Sequence, residues 1–326
     1  MQAMEYRTLG GTDLKVSRIS MGAMTFGGQT SEEEAIRIVD RCMERGITFY
    51  DTANVYCQGQ SEAMLGKALS GRRHQIVLAT KVRGRMGEDP DDEGLSRPAI
   101  RRAIDGSLKR LGTDYVDLYY LHQPDWGTRI EETLDAMEEL VREGKIRYPA
   151  ASNYAAWQMV QMLWHCADHG YVPPTVSQPM YNLLARGIEQ EFLACCREFK
   201  IGIVAYSPLA GGLLTGKHRW NDAPAAGTRF DGNQMYLDRY WHSAYFDAQD
   251  AVSAVAGRAG MSTTELAFRW LFAQPVVDAV LLGASSLKQL DENLAACAGP
   301  ALGADVLLEC DAIWGKLRGV TPNYNR

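Results

Sequence analysis

The stretch Ile47-Thr48-Phe49-Tyr50-Asp51-Thr52-Ala53-Asn54-Val55-Tyr56 decides how the rest of the chain is read. Its first half is apolar and β-prone and follows Gly46, a helix-stop residue, so it predicts a short buried strand from Ile47 to Asp51. A carboxylate then stands where the strand ends, and a phenol follows five residues later on the emerging loop. Neither is good core material. At the C-terminal end of a barrel strand both would be site material, because barrel chemistry gathers at that face. The plainer alternative is an Asp capping a turn and a Tyr packing a loop.

Two more strand ends bear on the choice. Gln75 to Lys81 is an apolar run ending in a lysine, and Val116 to His122 is one ending in a histidine. Side chains alternate faces along a strand, so Lys81 shares a side with Ala79 and Val77, as Asp51 does with Phe49 and Ile47. Three successive strands can therefore aim Asp, Lys and His at one place, beside Tyr56.

The same period continues along the chain. Further strands are expected at Arg18–Met21, Ile146–Ala151, Thr175–Gln178, Ile203–Tyr206 and Ala279–Gly283. Helical patterns alternate with them: from the Thr30/Ser31 cap through Arg45, at Ser61–Leu69, from Pro98, and then at Ile130–Arg142, Tyr154–Ala167 and Glu189–Phe199. Eight strands, each followed by a helix, predict an α/β chain folded as a (β/α)8 TIM barrel. Tyr6 to Ser17 reads as a preceding β-hairpin around Gly10-Gly11-Thr12-Asp13. More than fifty residues, Ser207 to Ser262, separate strand seven from a helix near Thr263, and an insertion of that length reads as a lid or binding loop. A further helix is expected at Val306–Arg318. No linker composition divides residues 1–326, so a single domain is expected.

Composition narrows the function. The chain has 326 residues, 46% of them hydrophobic, enough for a large core. A net charge of −6 without a basic block argues against a nucleic-acid partner. No apolar run approaches the roughly 18 residues of a membrane span, and the first residues lack the apolar core of an export signal. Seven scattered cysteines suit reduced thiols and a cytoplasmic protein better than a disulfide framework.

Asp51, Tyr56, Lys81 and His122 together resemble the tetrad of the aldo-keto reductase superfamily, in particular its bacterial members and the branch that includes potassium-channel β subunits. The resemblance spans nearly the whole chain. It implies carbonyl reduction with a nicotinamide cofactor, Tyr56 acting as general acid to a small-molecule carbonyl substrate. A free tyrosine titrates near about 10, and an ammonium beside it should lower that value and ease proton donation. Asp51 would hold Lys81 charged, and His122 would orient the carbonyl.

The resemblance also assigns a distributed cofactor site. Gly22 and Met24 follow strand one, and Asp51 ends strand two. Ser152, Asn153 and Gln178 fall where the nicotinamide carboxamide would be held. Tyr206-Ser207-Pro208-Leu209 would stack on the ring, followed by Gly211, Lys217 and Arg229 in the long loop. Gly283, Ser285, Gln289, Glu292 and Asn293 match the segment for the adenosine phosphate end, with a helix starting at Ser285. No acidic residue lies between Gly283 and Lys288, which favours NADPH over NADH. Met24, Phe26, Trp126 and the long loop's aromatics suggest an apolar-walled pocket.

Two positions depart from the resembled pattern. Pro149-Ala150-Ala151 precedes Ser152 where a bulky residue and Gly are usual, and a strand proline loses a ladder donor. Cys57 follows Tyr56 where Gly is common. Other signals point elsewhere. Gly211 to His218 nearly spells a P-loop but has His218 in place of Ser or Thr. His165 and His169 lack further ligands at zinc spacing. No GxGxxG follows the first strand, so a Rossmann mode is not expected. The rival readings are a cofactor-binding partner subunit with little turnover and a sugar-phosphate isomerase or lyase barrel.

Overall fold

The computed structural model describes residues 4–320. A two-stranded antiparallel hairpin, β1 (Tyr6–Thr8) and β2 (Lys15–Ser17), precedes the barrel strands β3 (Ile19–Gly22), β4 (Phe49–Asp51), β5 (Val77–Val82), β6 (Val116–Leu121), β7 (Ile146–Ser152), β8 (Val176–Gln178), β9 (Gly202–Ala205) and β10 (Val277–Gly283). These last eight are parallel and close in the order β10-β3-β4-β5-β6-β7-β8-β9, as a (β/α)8 barrel requires. Around them lie α1 (Glu32–Glu44), α2 (Gln60–Ala68), α3 (Arg97–Leu111), α4 (Ile130–Arg142), α5 (Ala156–His169), α6 (Phe192–Glu198), α7 (Gln234–Tyr240), α8 (Ser243–Arg258), α9 (Thr263–Phe272), α10 (Leu287–Cys297) and α11 (Ala304–Arg318).

Local chemistry sets the helix ends. Ser31 caps α1 by accepting from the Glu34 N–H, with Glu32, Glu33 and Glu34 filling the positive first turn. Ser262 and Glu265 form a reciprocal capping box on α9.

Strand alternation divides the apolar residues into two cores. Phe49, Val77, Ala79, Leu118, Tyr120, Val176, Val204 and Ala279 point inward, while the opposite faces pack on the helices. The hairpin contributes Leu9, Leu14 and Val16 to the inner core and so fills the lower end of the barrel. This close seating needs Gly10, at φ 43°: a Cβ there would lie 2.2 Å from the Thr175 carbonyl oxygen.

Two expectations change. The segment after β9 is not one open insertion, because α7 and α8 lie within it. Phe246, Gln249, Val252 and Ala256 recur at helical spacing on α8 and are buried, partly against α11. The last barrel helix begins later than expected: Ser286, not Ser285, caps α10. Pro149 does not break β7. It pairs in register with Tyr119 of β6, and β8 joins β7 only from Ala151 onward, past the proline.

Candidate active site

Asp51 ends β4, Lys81 lies one residue from the end of β5, and His122 immediately follows β6. Adjacent registers, Asp51 opposite Ala79 and Lys81 opposite Tyr120, bring the three to one level at the C-terminal face. Lys81 and Asp51 are fully buried and form an ion pair. The Lys81 ammonium also donates to the Thr52 carbonyl at 2.7 Å, and Gln178 Nε2 donates to Asp51 Oδ2 at 2.9 Å. Tyr56 opens a tight turn above this pair, its ring centroid 5.1 Å from Lys81 Nζ. The Tyr56 and His122 rings meet edge to face, with centroids 5.8 Å apart. All four residues therefore stand together.

The electrostatics differ from expectation at the phenol. Burial raises the Tyr56 pKa, and the nearby ammonium of Lys81 lowers it only in part, so the net direction is up. Desolvation of a phenolate outweighs one neighbouring charge here. Burial would also drive Lys81 to lose its proton, but Asp51 and Tyr56 more than offset this, and its pKa rises. Burial, with Lys81 and Arg83 nearby, pulls His122 down to about 3, so its imidazole is neutral at ordinary pH.

A cavity of about 800 Å³ opens above the tetrad. Its floor includes Ser152 and Gln178, both nearly fully buried, with Ser152 Oγ donating to the Gln178 carbonyl at 2.8 Å. Asn153, at φ 63°, donates through Nδ2 to the His122 carbonyl at 2.9 Å and accepts from the Tyr206 hydroxyl at 2.7 Å. Ser207, Pro208 and Leu209 continue the wall from Tyr206, and the Gly211-Gly212 turn brings its backbone to the rim near Lys217. Arg229 reaches over to Met24 Sδ at 3.0 Å and the Tyr236 hydroxyl at 3.2 Å, and Gln29 donates to the Gly227 carbonyl at 3.1 Å. The long segment thus bridges to the loop after β3.

Gly22, Gly283, Ser285 and Gln289 line the remaining edge, where the Ser285 N–H donates to Gln289 Oε1 at 2.8 Å. Glu292 and Asn293 do not line the cavity. Glu292 is exposed on α10, 3.9 Å from Lys288, while Asn293 holds the Gly283 carbonyl from behind at 3.1 Å.

The apolar-pocket expectation holds for Met24 and for Tyr236 of the long segment, but not for Phe26 or Trp126. Phe26 is buried in the outer core, and Trp126, turned outward by the Asp125–Gly127 turn, is 79% exposed and borders a separate hollow. Arg83, Arg229 and Arg239 line the cavity as well, among apolar residues such as Leu209 and Leu281. Arg83 and Gln178's hold on Asp51 were missed by sequence reasoning. The signal for Arg83 was a cation directly after a strand end that carries Lys81. Cys57 does not line the cavity. It adopts φ 48°, a left-handed conformation suited to the glycine usual there, and its thiol packs toward the Met24 carbonyl. His165 and His169 stack on α5 at 4.2 Å, close to Asp135.

A closed parallel barrel with an Asp–Lys–Tyr–His cluster at its C-terminal face defines a carbonyl-handling oxidoreductase class. A model of the aldo/keto reductase family matches residues 18–315, and the chain belongs to that family as an NAD(P)H-dependent oxidoreductase. It is 37% identical to aflatoxin B1 aldehyde reductase member 2 of Rattus norvegicus, over 98% of this chain and 90% of that protein. It is 38% identical to the Homo sapiens protein of the same name, over 94% and 89%. It is 39% identical to a probable voltage-gated potassium channel subunit beta of Arabidopsis thaliana, over 90% and 91%.

The cavity's donor set fits a nicotinamide dinucleotide. A flat phenol ring and side-chain amides (Tyr206, Asn153, Gln178) lie at the tetrad end, and cations, hydroxyls and amides (Lys217, Arg229, Ser285, Gln289) lie along the outer wall.

Proposed function

We propose that the protein reduces aldehydes or ketones to alcohols with NADPH, Tyr56 serving as general acid. The observation that carries this reading is the buried Lys81–Asp51 pair beneath the Tyr56 ring, with a neutral His122 on the ring's edge. When bound in the cavity, a reduced nicotinamide would supply the hydride for the carbonyl carbon. Tyr56 gives its proton to the carbonyl oxygen, and Lys81 stabilises the phenolate that remains until water restores the proton. His122 donates a hydrogen bond to the same oxygen and fixes its angle. Ser152, Asn153, Gln178, Tyr206, Lys217 and Arg229 all line the cavity; the first three would hold the carboxamide, Tyr206 would face the ring, and Lys217 with Arg229 would meet the phosphates. The relatives named as aldehyde reductases support aldehydes as the first substrates to try. Seven free thiols suit action in the cytoplasm.

The test is oxidation of NADPH in the presence of a nitrobenzaldehyde. Steady turnover, lost in Tyr56→Phe, is expected. Tight NADPH binding with no turnover across an aldehyde and ketone panel would instead favour a binding-subunit role, the activity suggested by the channel-subunit relative's name.

A further inference from the structure

Arg83 lies where the cofactor reading has no use for a cation. The barrel order sets β5, from which Arg83 emerges, four strands from β9. The segment after β9 carries Lys217, Arg229 and Arg239, on the dinucleotide's side of the mouth. Arg83 lines the same cavity as His122, Gln123 and Gly84, and the strand it follows is paired with β4 and β6, which lead to Asp51 and His122.

The backbone holds it there at a cost. Arg83 has φ 128°, a region that side-chain-bearing residues rarely adopt and one that persists only where surroundings enforce it. The Gly94 N–H donates to its carbonyl at 3.0 Å, and the His122 N–H donates to Val82 just before it at 3.0 Å. Gly84 follows, so close to Val55 that a Cβ would lie 2.6 Å from that side chain. Val55 precedes Tyr56, so this exit is pressed against the turn that carries the phenol.

The guanidinium is under-partnered for a group so placed. Its Nε is buried without a hydrogen-bond partner, and Glu93, the carboxylate with which it pairs, stands 3.9 Å away and is 44% exposed. Asp125, the other carboxylate nearby, is occupied by the Leu95 and Gly127 N–H groups and the Thr128 hydroxyl. The charge of Arg83 is nonetheless felt inside the site: after burial and Lys81, it is a further cause holding His122 down. A planar guanidinium fork matches a carboxylate in two-point geometry, which a neutral wall would not provide.

Building on the reductase reading above, we infer that Arg83 is a specificity residue and that the preferred carbonyl substrate carries a carboxylate. The carboxylate seats on Arg83 while the carbonyl oxygen meets Tyr56 and His122. No chemical step is added, because Arg83 binds the substrate's charged end and leaves the reacting carbon alone.

The experiment compares 3- and 4-formylbenzoate with the matching formylbenzamides, equal in size but neutral, at saturating NADPH. It is run on the wild type, Arg83→Lys and Arg83→Gln in low and high salt. We expect the wild type to favour at least one acid over its amide by about tenfold or more in kcat/KM, mostly through KM, the order of one charge-assisted hydrogen bond. High salt should shrink the preference. Arg83→Gln should bring the acid-to-amide ratio below about threefold, and Arg83→Lys should keep part of it. A wild-type ratio near one, or a ratio that survives in Arg83→Gln, overturns the inference while leaving the reductase reading intact. If no aldehyde is reduced, that reading fails, and calorimetric binding of isophthalate against isophthalamide decides this one. Equal affinities, or a preference indifferent to Arg83→Gln, would sink it.

Discussion

Lys81 and Asp51 meet as a fully buried ion pair at the ends of neighbouring parallel strands, with the remaining carboxylate oxygen of Asp51 taken by Gln178. Neither charge has water to fall back on. The pair is therefore both the electrostatic base of the site and a point where the fold is vulnerable.

Lys81→Met leaves the Asp51 charge buried and uncompensated. The expected cost is on the order of 3–5 kcal/mol of folding stability, together with a large loss of kcat/KM. Adding Asp51→Asn to that variant should restore much of the stability and none of the turnover. Denaturant titrations of the single and double variants check this; equal stabilities would show that the charges do not depend on each other.

Tyr56→Phe removes one proton and keeps the ring. NADPH affinity should stay close to wild type while turnover falls by at least about 10²–10⁴, the range for general acid catalysis. Turnover within threefold of wild type would remove Tyr56 from the acid role.

His122 gives a pH dependence whose sign follows from its depressed pKa. The unfolded chain takes up a proton near 6.5, whereas folded His122 resists it until about 3. Its contribution therefore destabilises the fold as pH drops from 6.5 toward 3 and is absent above that window. Thermal melts should show wild type losing stability more steeply than His122→Asn across that interval. Parallel curves would mean that His122 titrates normally.

Glu62 offers a prediction outside the cavity. Its fully buried carboxylate accepts from Thr80, next to Lys81, and from Arg110 Nε at 2.7 Å. Glu62→Ala leaves Arg110 without its partner and opens a gap under α2. A loss of about 3–5 kcal/mol is expected by chemical denaturation.

The proposed preference for NADPH rests on the cavity lining, which includes Lys217, Arg229 and Ser285. NADPH should bind at least about tenfold more tightly than NADH, and Lys217→Ala should narrow the gap. Fluorescence titrations giving equal dissociation constants would reject this assignment.

The barrel and the tetrad were legible because both rest on short-range rules. Period-two alternation and strand ends aimed Asp51, Lys81 and His122 at one place. The Thr30/Ser31 capping signal marked a helix start in the same local way, and Ser31 is the cap. What was missed depends on packing across the chain. The helical spacing of Phe246, Gln249, Val252 and Ala256 is present in the sequence but is obscured by the aromatics interleaved through the long segment. Trp126 looked like a pocket wall, and its outward turn is set by Asp125 accepting from the Gly127 N–H. The net direction at Tyr56 depends on how deeply the ring is desolvated, which no spacing reveals.

The hairpin that fills the lower barrel with Leu9, Leu14 and Val16 also governs traffic. With that end sealed, both guests of the cavity use the upper doorway. The proposed cofactor position lies against the nearly buried Ser152 and Gln178, with the proposed substrate position above it. On the proposed reading the deeper guest is expected to enter first and leave last, an order imposed by a β-hairpin on the far side of the molecule.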